Sequence, residues 1–394
     1  MEISTNSKKK SVMDLIRFSL WHEGQACPDR ETFLEMKQHT VAGLAASALQ
    51  EMSLPEDLKK EWGLTALMQA ANYHKLLYIQ ENLPLTVPYV ILKGTAAAQY
   101  YPVPEYRSMG DIDIMTRRED YEKACEMFLN GGWHEINCKD HSDDQRHREF
   151  VRGGAIVEVH AYFASLNDPA QAEYLDDLII ENITPSHVLP DPVNGLVLLE
   201  HISQHMEHGL GLRQIIDWMM FVDKCLTDEK WPDFRAMAQN IGLEQLAKVT
   251  ARMCEMYLGL PQRKWCADAD EALCVTLMDY VFNCGNFGSK WENEEYRSKL
   301  ITYSRTPRAA LKLFREIGVQ NWKAAQKYRI LRPLAWLYQA GRFFLKGITQ
   351  KGSIVALKSE FDEAGRRNRM FDALGIKQRS KGLAVYKDGK YVKE

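Results

Sequence analysis

The sequence has no run of about 18 apolar residues, the length a membrane-spanning helix needs, and no Cys-x-x-Cys pair. It also has little net charge, -3 over 394 residues. The first absence argues against an integral membrane protein. The second leaves the eight cysteines too scattered for a zinc ribbon or a dense disulfide framework, so they read as buried free thiols. The third excludes a global field that would draw the chain to nucleic acid or anionic lipid. Lys8 to Lys10 resemble a charged leader, but Asp14 and Arg17 interrupt what would be its apolar core. A cytoplasmic protein is the expectation.

A chain of this length exceeds one compact core and suggests about two domains. Residues 1–85 carry a helical period, clearest in TALMQAANYHKLLYIQENL, until Leu83-Pro84 and Val87-Pro88 punctuate it. The period then changes. Tyr89 to Leu92 reads as a strand, Lys93-Gly94-Thr95 as a turn, and AAAQYY as a helix start. Asp111 to Met115 is a second strand. Arg117 to Asn130 reads as a helix ended by Gly131-Gly132. Glu149 to Val151 and Ala155 to Tyr162 form strands around the turn Arg152-Gly153-Gly154. Residues 86–165 are therefore a mixed-sheet α/β module. Residues 166–377 return to a helical period, and 378–394 read as a loose tail. The fold class is α+β, a small sheet module embedded in a mostly helical protein.

Residues at i and i+2 of a strand share a face, so Asp111 and Asp113 project together while Ile112 and Ile114 turn to the core. Two carboxylates that close repel unless a proton or cation lies between them. Hard oxygen donors suit Mg²⁺, which completes its shell with water and substrate phosphates. Glu158 lies between Val157 and Val159 with His160 on its own face, and such an acid is costly without a partner. A shared cation supplies one.

These motifs together, ILKGTAAAQYY, then RSMGDIDIM, then VEVH, resemble an uncharacterised bacterial group within the polymerase-beta-like nucleotidyltransferase superfamily. The group's pattern runs L-K-G, R-x-x-x-D-I-D and E-x-H. The likeness is strongest over residues 85–165 and extends into HISQHMEHGLGLRQIIDWMMFVD. One departure is the turn: Lys93-Gly94-Thr95 stands where the superfamily usually has Gly-Gly or Gly-Ser. The resemblance implies transfer of a nucleoside monophosphate from an NTP, with ATP the first candidate, to an acceptor hydroxyl. Asp111, Asp113 and Glu158 would hold two Mg²⁺ ions, with Mn²⁺ as a substitute. Lys93, Gly94 and Thr95 would cradle the outer phosphates, and Arg107 would offset leaving-group charge. His160, which shares a face with Glu158, either orients a metal-bound water, contacts the nucleotide or is a hydrogen-bonded strand histidine. The acceptor, whether small molecule, protein or RNA, is unnamed by the sequence.

Other signals admit two readings. His201, His205 and His208 share a helix face, as zinc ligands, cleft-lining groups or packing. Arg213 and Asp217 either pair on the helix surface or face the catalytic module. From Arg305 to Lys351 eleven Lys and Arg residues face one acid, Glu316. That stretch is either a basic outer face or a seat for an anionic partner such as RNA. A silent scaffold keeping the fold, and an RNA-modifying enzyme, are the competing functions.

Overall fold

After Pro88 the chain enters β1 (Tyr89–Leu92), all four of whose residues are buried. Val and Ile at its centre suit an enclosed pleated strand. β2 (Ile112–Thr116), β3 (His134–Ile136), β4 (His147–Arg152) and β5 (Ala155–His160) complete a five-stranded sheet in the order β1-β2-β5-β4-β3. β2 and β5 are parallel, and every other neighbouring pair is antiparallel. The protein is α+β with a mixed sheet, as the sequence predicts. β3 is the strand that the sequence pattern did not reveal, being three residues long. The β4–β5 turn falls on Gly153 and Gly154, at φ +57° and +71°. Two successive left-handed residues are what a type I′ hairpin demands.

The structure is a computed structural model that describes residues 2–136, 146–290, 315, 318–319, 321–349, 365–376, 384–387 and 390–393. The chain divides into two units, Met1–Lys290 with Ala384–Glu394, and Trp291–Leu383. In the first unit α1 (Glu2–Trp21), α2 (Arg30–Gln38) and α3 (Glu56–Glu81) precede the sheet. Asp29 caps α2 by accepting the Thr32 amide at 2.8 Å. Trp62 of α3 is buried and donates its indole N–H to the Ala42 carbonyl at 2.9 Å.

The short α4 (Gly94–Ala98) follows β1, and α5 (Tyr121–Asn130) follows β2. Phe128 of α5 stacks on Phe150 of β4 with ring centroids 5.0 Å apart, a contact that seals one face of the sheet. α6 (Pro169–Glu181), α7 (Asp191–His208) and α8 (Leu212–Cys225) come next, and α4 packs against α7 and α8. α9 (Trp231–Asn240), α10 (Glu244–Leu258) and α11 (Glu271–Cys284) extend a core centred on Trp218, Phe221 and Phe234. The stretch read as a loose tail carries an antiparallel hairpin, β6 (Ala384–Lys387) with β7 (Lys390–Lys393), which packs on α6. Asp388-Gly389 between them is a favoured hairpin pair in sequence.

In the second unit α12 (Lys323–Lys327) and α13 (Ala335–Thr349) are joined by a 3₁₀ segment, and Trp322 stacks on Tyr338 at 5.1 Å. The basic stretch 305–351 lies in part outside the described residues. Among the described residues no helix is long and apolar enough to cross a membrane. Among the described residues no disulfide joins the seven cysteines, and six of them are buried; Cys138 lies outside the described residues.

Candidate active site

The parallel seam of the sheet sets Asp113 beside Glu158 and Met115 beside His160. With side chains alternating, Asp113, Glu158 and His160 share one face while Ile112, Ile114, Val157 and Val159 are buried. A ligand atom from each of the three polar residues lies within 4.8 Å of the others. Asp113 is only 3 % exposed. Its Oδ1 accepts from Lys93 Nζ at 2.7 Å and lies 3.1 Å from His160 Nε2. The same Nε2 lies 3.4 Å from Glu158 Oε2.

Burial alone would raise the Asp113 carboxyl, but Lys93 and His160 outweigh it and hold the group well below the usual range. Burial opposes the charge on Lys93, yet Asp113 and Glu158 more than compensate, and its pKa rises. Burial likewise opposes a charged His160, and its bonds to Asp113 and Glu158 win. The Lys93 ammonium thus stands in for a cation against this acid. The donor set fits a divalent ion: two carboxylates and an imidazole, preassembled and already paired with a positive charge.

Asp111 sits one residue before β2, outside that close group. The negative charge of Asp113, then burial, then Glu158 push its carboxyl up to about 6. His160 thus joins Asp113 and Glu158 in the close group, and Asp111 lies near enough to feel the charges of both acids. A second donor set escaped the sequence reading. His147 and Glu149 of β4 share with Glu158 a 4.8 Å grouping, because Glu149 pairs with Glu158 across the strands and His147 with His160. Alternation within His147-Arg148-Glu149 was the available signal.

Lys93 adopts φ +51°, ψ -137°. A side chain is strained there, and the turn holds it so that the ammonium faces the acids. Thr95 spends its hydroxyl on Gln80 Oε1 at 2.6 Å, so only its amide is left for a ligand. Arg107 departs from the expected role. Its Nε and Nη2 grip Asp217 Oδ1 and Oδ2 at 2.7 and 2.6 Å, and Tyr101 donates to the same carboxylate at 2.6 Å. Arg107 is 4 % and Asp217 1 % exposed. A fork committed to a buried carboxylate is a brace for the loop before β2, not a free cation for a leaving group.

Arg213 does not pair with Asp217. Its Nη1 makes one long bond to the Ser108 carbonyl at 3.4 Å. His201 and His205 are buried, with Nε2 atoms 2.9 Å apart. Burial and the neighbouring His205 push His201 well below its ordinary range. Among the described residues neither belongs to a three-ligand group, and the side chain of His208 lies outside the description.

A family profile described as an uncharacterised nucleotidyltransferase matches residues 29–259, more than half of the chain. The protein belongs to that family and is a transferase. The match reaches back to α2 and on to α10, further than the sequence motifs. No curated protein and no solved structure matches the chain.

Proposed function

We propose that the protein transfers a nucleoside monophosphate from an NTP, ATP being the first candidate, to an acceptor hydroxyl, aided by divalent cations. The observation that carries this reading is the Asp113–Lys93–His160–Glu158 cluster on the β2–β5 seam. Asp111, Asp113, Glu158 and His160 are the residues that would hold the ion, with His147 and Glu149 able to join Glu158 around a second. Mg²⁺ is the proposed ion, and the imidazole donors make Mn²⁺ an apt substitute. Bound there, such ions would supply charge neutralisation at the α-phosphate and the leaving pyrophosphate.

The chain's own groups then do the rest. Lys93 Nζ moves from Asp113 toward the outer phosphates, and the amides of Gly94 and Thr95 face the same anion. Glu158, 20 % exposed at its side chain, accepts the proton of the attacking hydroxyl. The acceptor oxygen bonds to the α-phosphorus as the bond to pyrophosphate breaks. The Arg107–Asp217 brace fixes the approach of Ser108 to Asp111. A cytoplasmic setting suits an NTP donor and free thiols.

Calorimetric titration of the four NTPs with Mg²⁺ or Mn²⁺ tests this reading on wild type and Asp113→Asn. Metal-dependent binding of one NTP, lost in the variant, is the expected result. A folded wild type that binds no NTP would favour a silent scaffold. Salt-sensitive binding of RNA, with no turnover on small hydroxyl acceptors, would favour an RNA-modifying role.

A further inference from the structure

Arg107 and Arg213 both lie against the short loop that leads into β2. Arg107 bonds to the Ser108 carbonyl through Nη1 at 3.2 Å, and Arg213 reaches the same oxygen at 3.4 Å. Their surroundings differ. Arg107 has a carboxylate gripped in its fork, whereas Arg213 has no ion-pair partner among the described residues. The Nε of Arg213 is sealed from solvent and has no hydrogen-bond acceptor. A guanidinium carries five N–H donors; here Nη1 makes one long bond to a carbonyl and the sealed Nε makes none. A buried donor without an acceptor is costly, and an anion against this edge of the guanidinium would supply the acceptor.

The charges around Arg213 say where that anion lies. Burial and then Arg107 weaken its hold on its proton, while Asp217 and Asp111 act the other way. Asp111 in turn feels both Lys93 and Arg213, and His201 feels Lys93, Asp113 and Arg213. Arg213 therefore belongs to the same electrostatic neighbourhood as the carboxylate cluster, on α8 rather than on the sheet. It is the second residue of that helix, inside the first turn, where the backbone field also favours an anion. A planar fork is well shaped for a phosphate oxygen pair.

From this we infer that Arg213 is the seat of the β,γ-diphosphate of the donor nucleotide, the portion that leaves as pyrophosphate. The assignment rests on the nucleotidyl-transfer reading and adds to it the cation that Arg107 is not free to be. In the resting site the acids of β2 and β5 hold Lys93. In the loaded site Lys93 and Arg213 flank the outer phosphates from the turn and from the helix.

Inorganic pyrophosphate is the probe. Its affinity for the full chain in the presence of Mn²⁺ is measured by calorimetry for wild type, Arg213→Gln, Arg213→Lys and Arg107→Lys. Mn²⁺ binding without pyrophosphate is followed in parallel by electron paramagnetic resonance. Losing charge-assisted bonds should weaken pyrophosphate about tenfold or more in Arg213→Gln. Arg213→Lys, which keeps the charge and loses the fork, should fall between. Mn²⁺ binding should be unchanged in both, and Arg107→Lys, which loosens the loop that both arginines grip, should melt earlier than either. If Arg213→Gln does not fold, Arg213→Lys decides. Variants that bind pyrophosphate as tightly as a wild type that also binds NTP would overturn the Arg213 assignment alone. A wild type that takes up Mn²⁺ but neither NTP nor pyrophosphate would overturn the nucleotidyl-transfer reading, and this assignment with it.

Discussion

Two buried charge clusters lie near the start of β2, and they are built on opposite plans. At Arg107–Asp217 every strong group has its partner: a bidentate fork, a tyrosine hydroxyl and both carboxylate oxygens in use. At Asp113 one lysine and one histidine serve an acid that has Glu158 and Asp111 close by, so negative charge exceeds what the cluster neutralises. The first cluster is saturated and holds shape. The second is short of positive charge, which is the condition for recruiting a cation. Saturation rather than burial separates the brace from the site.

The sharpest way to break this comparison is Asp217→Ala. It leaves Arg107 and the Tyr101 hydroxyl buried without their acceptor, and removing one member of a buried pair costs about 3–5 kcal/mol. Denaturant melts should show that loss. A change under ~1 kcal/mol would mean that the pair is not holding the loop.

Asp113→Asn should act on chemistry instead. Even outer-shell partners of a metal are worth 10–100-fold, so with Asp113 a direct ligand, as proposed, its loss should cut turnover by at least ~100-fold. Its melting temperature should move much less than that of Asp217→Ala, because Glu158 and Asp111 remain to face Lys93. Full turnover in this variant would remove the cluster from the mechanism.

A third test concerns the support of α8. His39 Nδ1 accepts the Leu212 amide at 3.3 Å, which requires a neutral ring, and burial pushes its pKa down to about 4. The unfolded chain takes up this proton near pH 6.5 and the folded one only near 4. Stability should therefore be full at neutral pH and fall as pH drops across that window. The bound is about 3 kcal/mol for this group, with the hydrogen bond to the Phe282 backbone working against the loss. Urea melts at stepped pH should show a slope that His39→Asn flattens; identical slopes would exclude His39 as its source.

The smallest effect expected is that of Thr95→Val. Losing the hydroxyl bond to Gln80 should cost about 1 kcal/mol, with turnover nearly intact because only the backbone amide is assigned to phosphate. A large loss of turnover, measured at matched folding, would bring the hydroxyl into the site.

Much of the site was readable in one dimension. Asp113 follows from an alternating strand, Glu158 and His160 from a second, and Lys93 from the strand–turn–helix that precedes them. What escaped needed the third dimension. Arg107 and Asp217 are 110 residues apart, and nothing local marks either as the other's partner, so Arg107 looked free for chemistry. His147 and Glu149 face β5 through the register that the Gly153-Gly154 turn sets, but the strand read from the sequence begins only at Glu149. That His160 joins Asp113 and Glu158 depends on the parallel stagger of β2 against β5, and alternation alone does not fix that stagger.

That parallel seam also bears on how the protein is made. β1 with β2, and β3 through β5, are each antiparallel groups of neighbours in sequence, so each can form from nearby chain. Only the β2–β5 pairing joins them, and it brings together residues 45 apart, Asp113 with Glu158. Non-local pairing of this kind is slow to nucleate, because the loop must close before the contacts reward it. The residues of the site lie on both sides of that join. A chain still growing, or one whose halves have formed without docking, therefore has strands but not the Asp113–Lys93–His160–Glu158 cluster, which should be completed as one of the last events of folding.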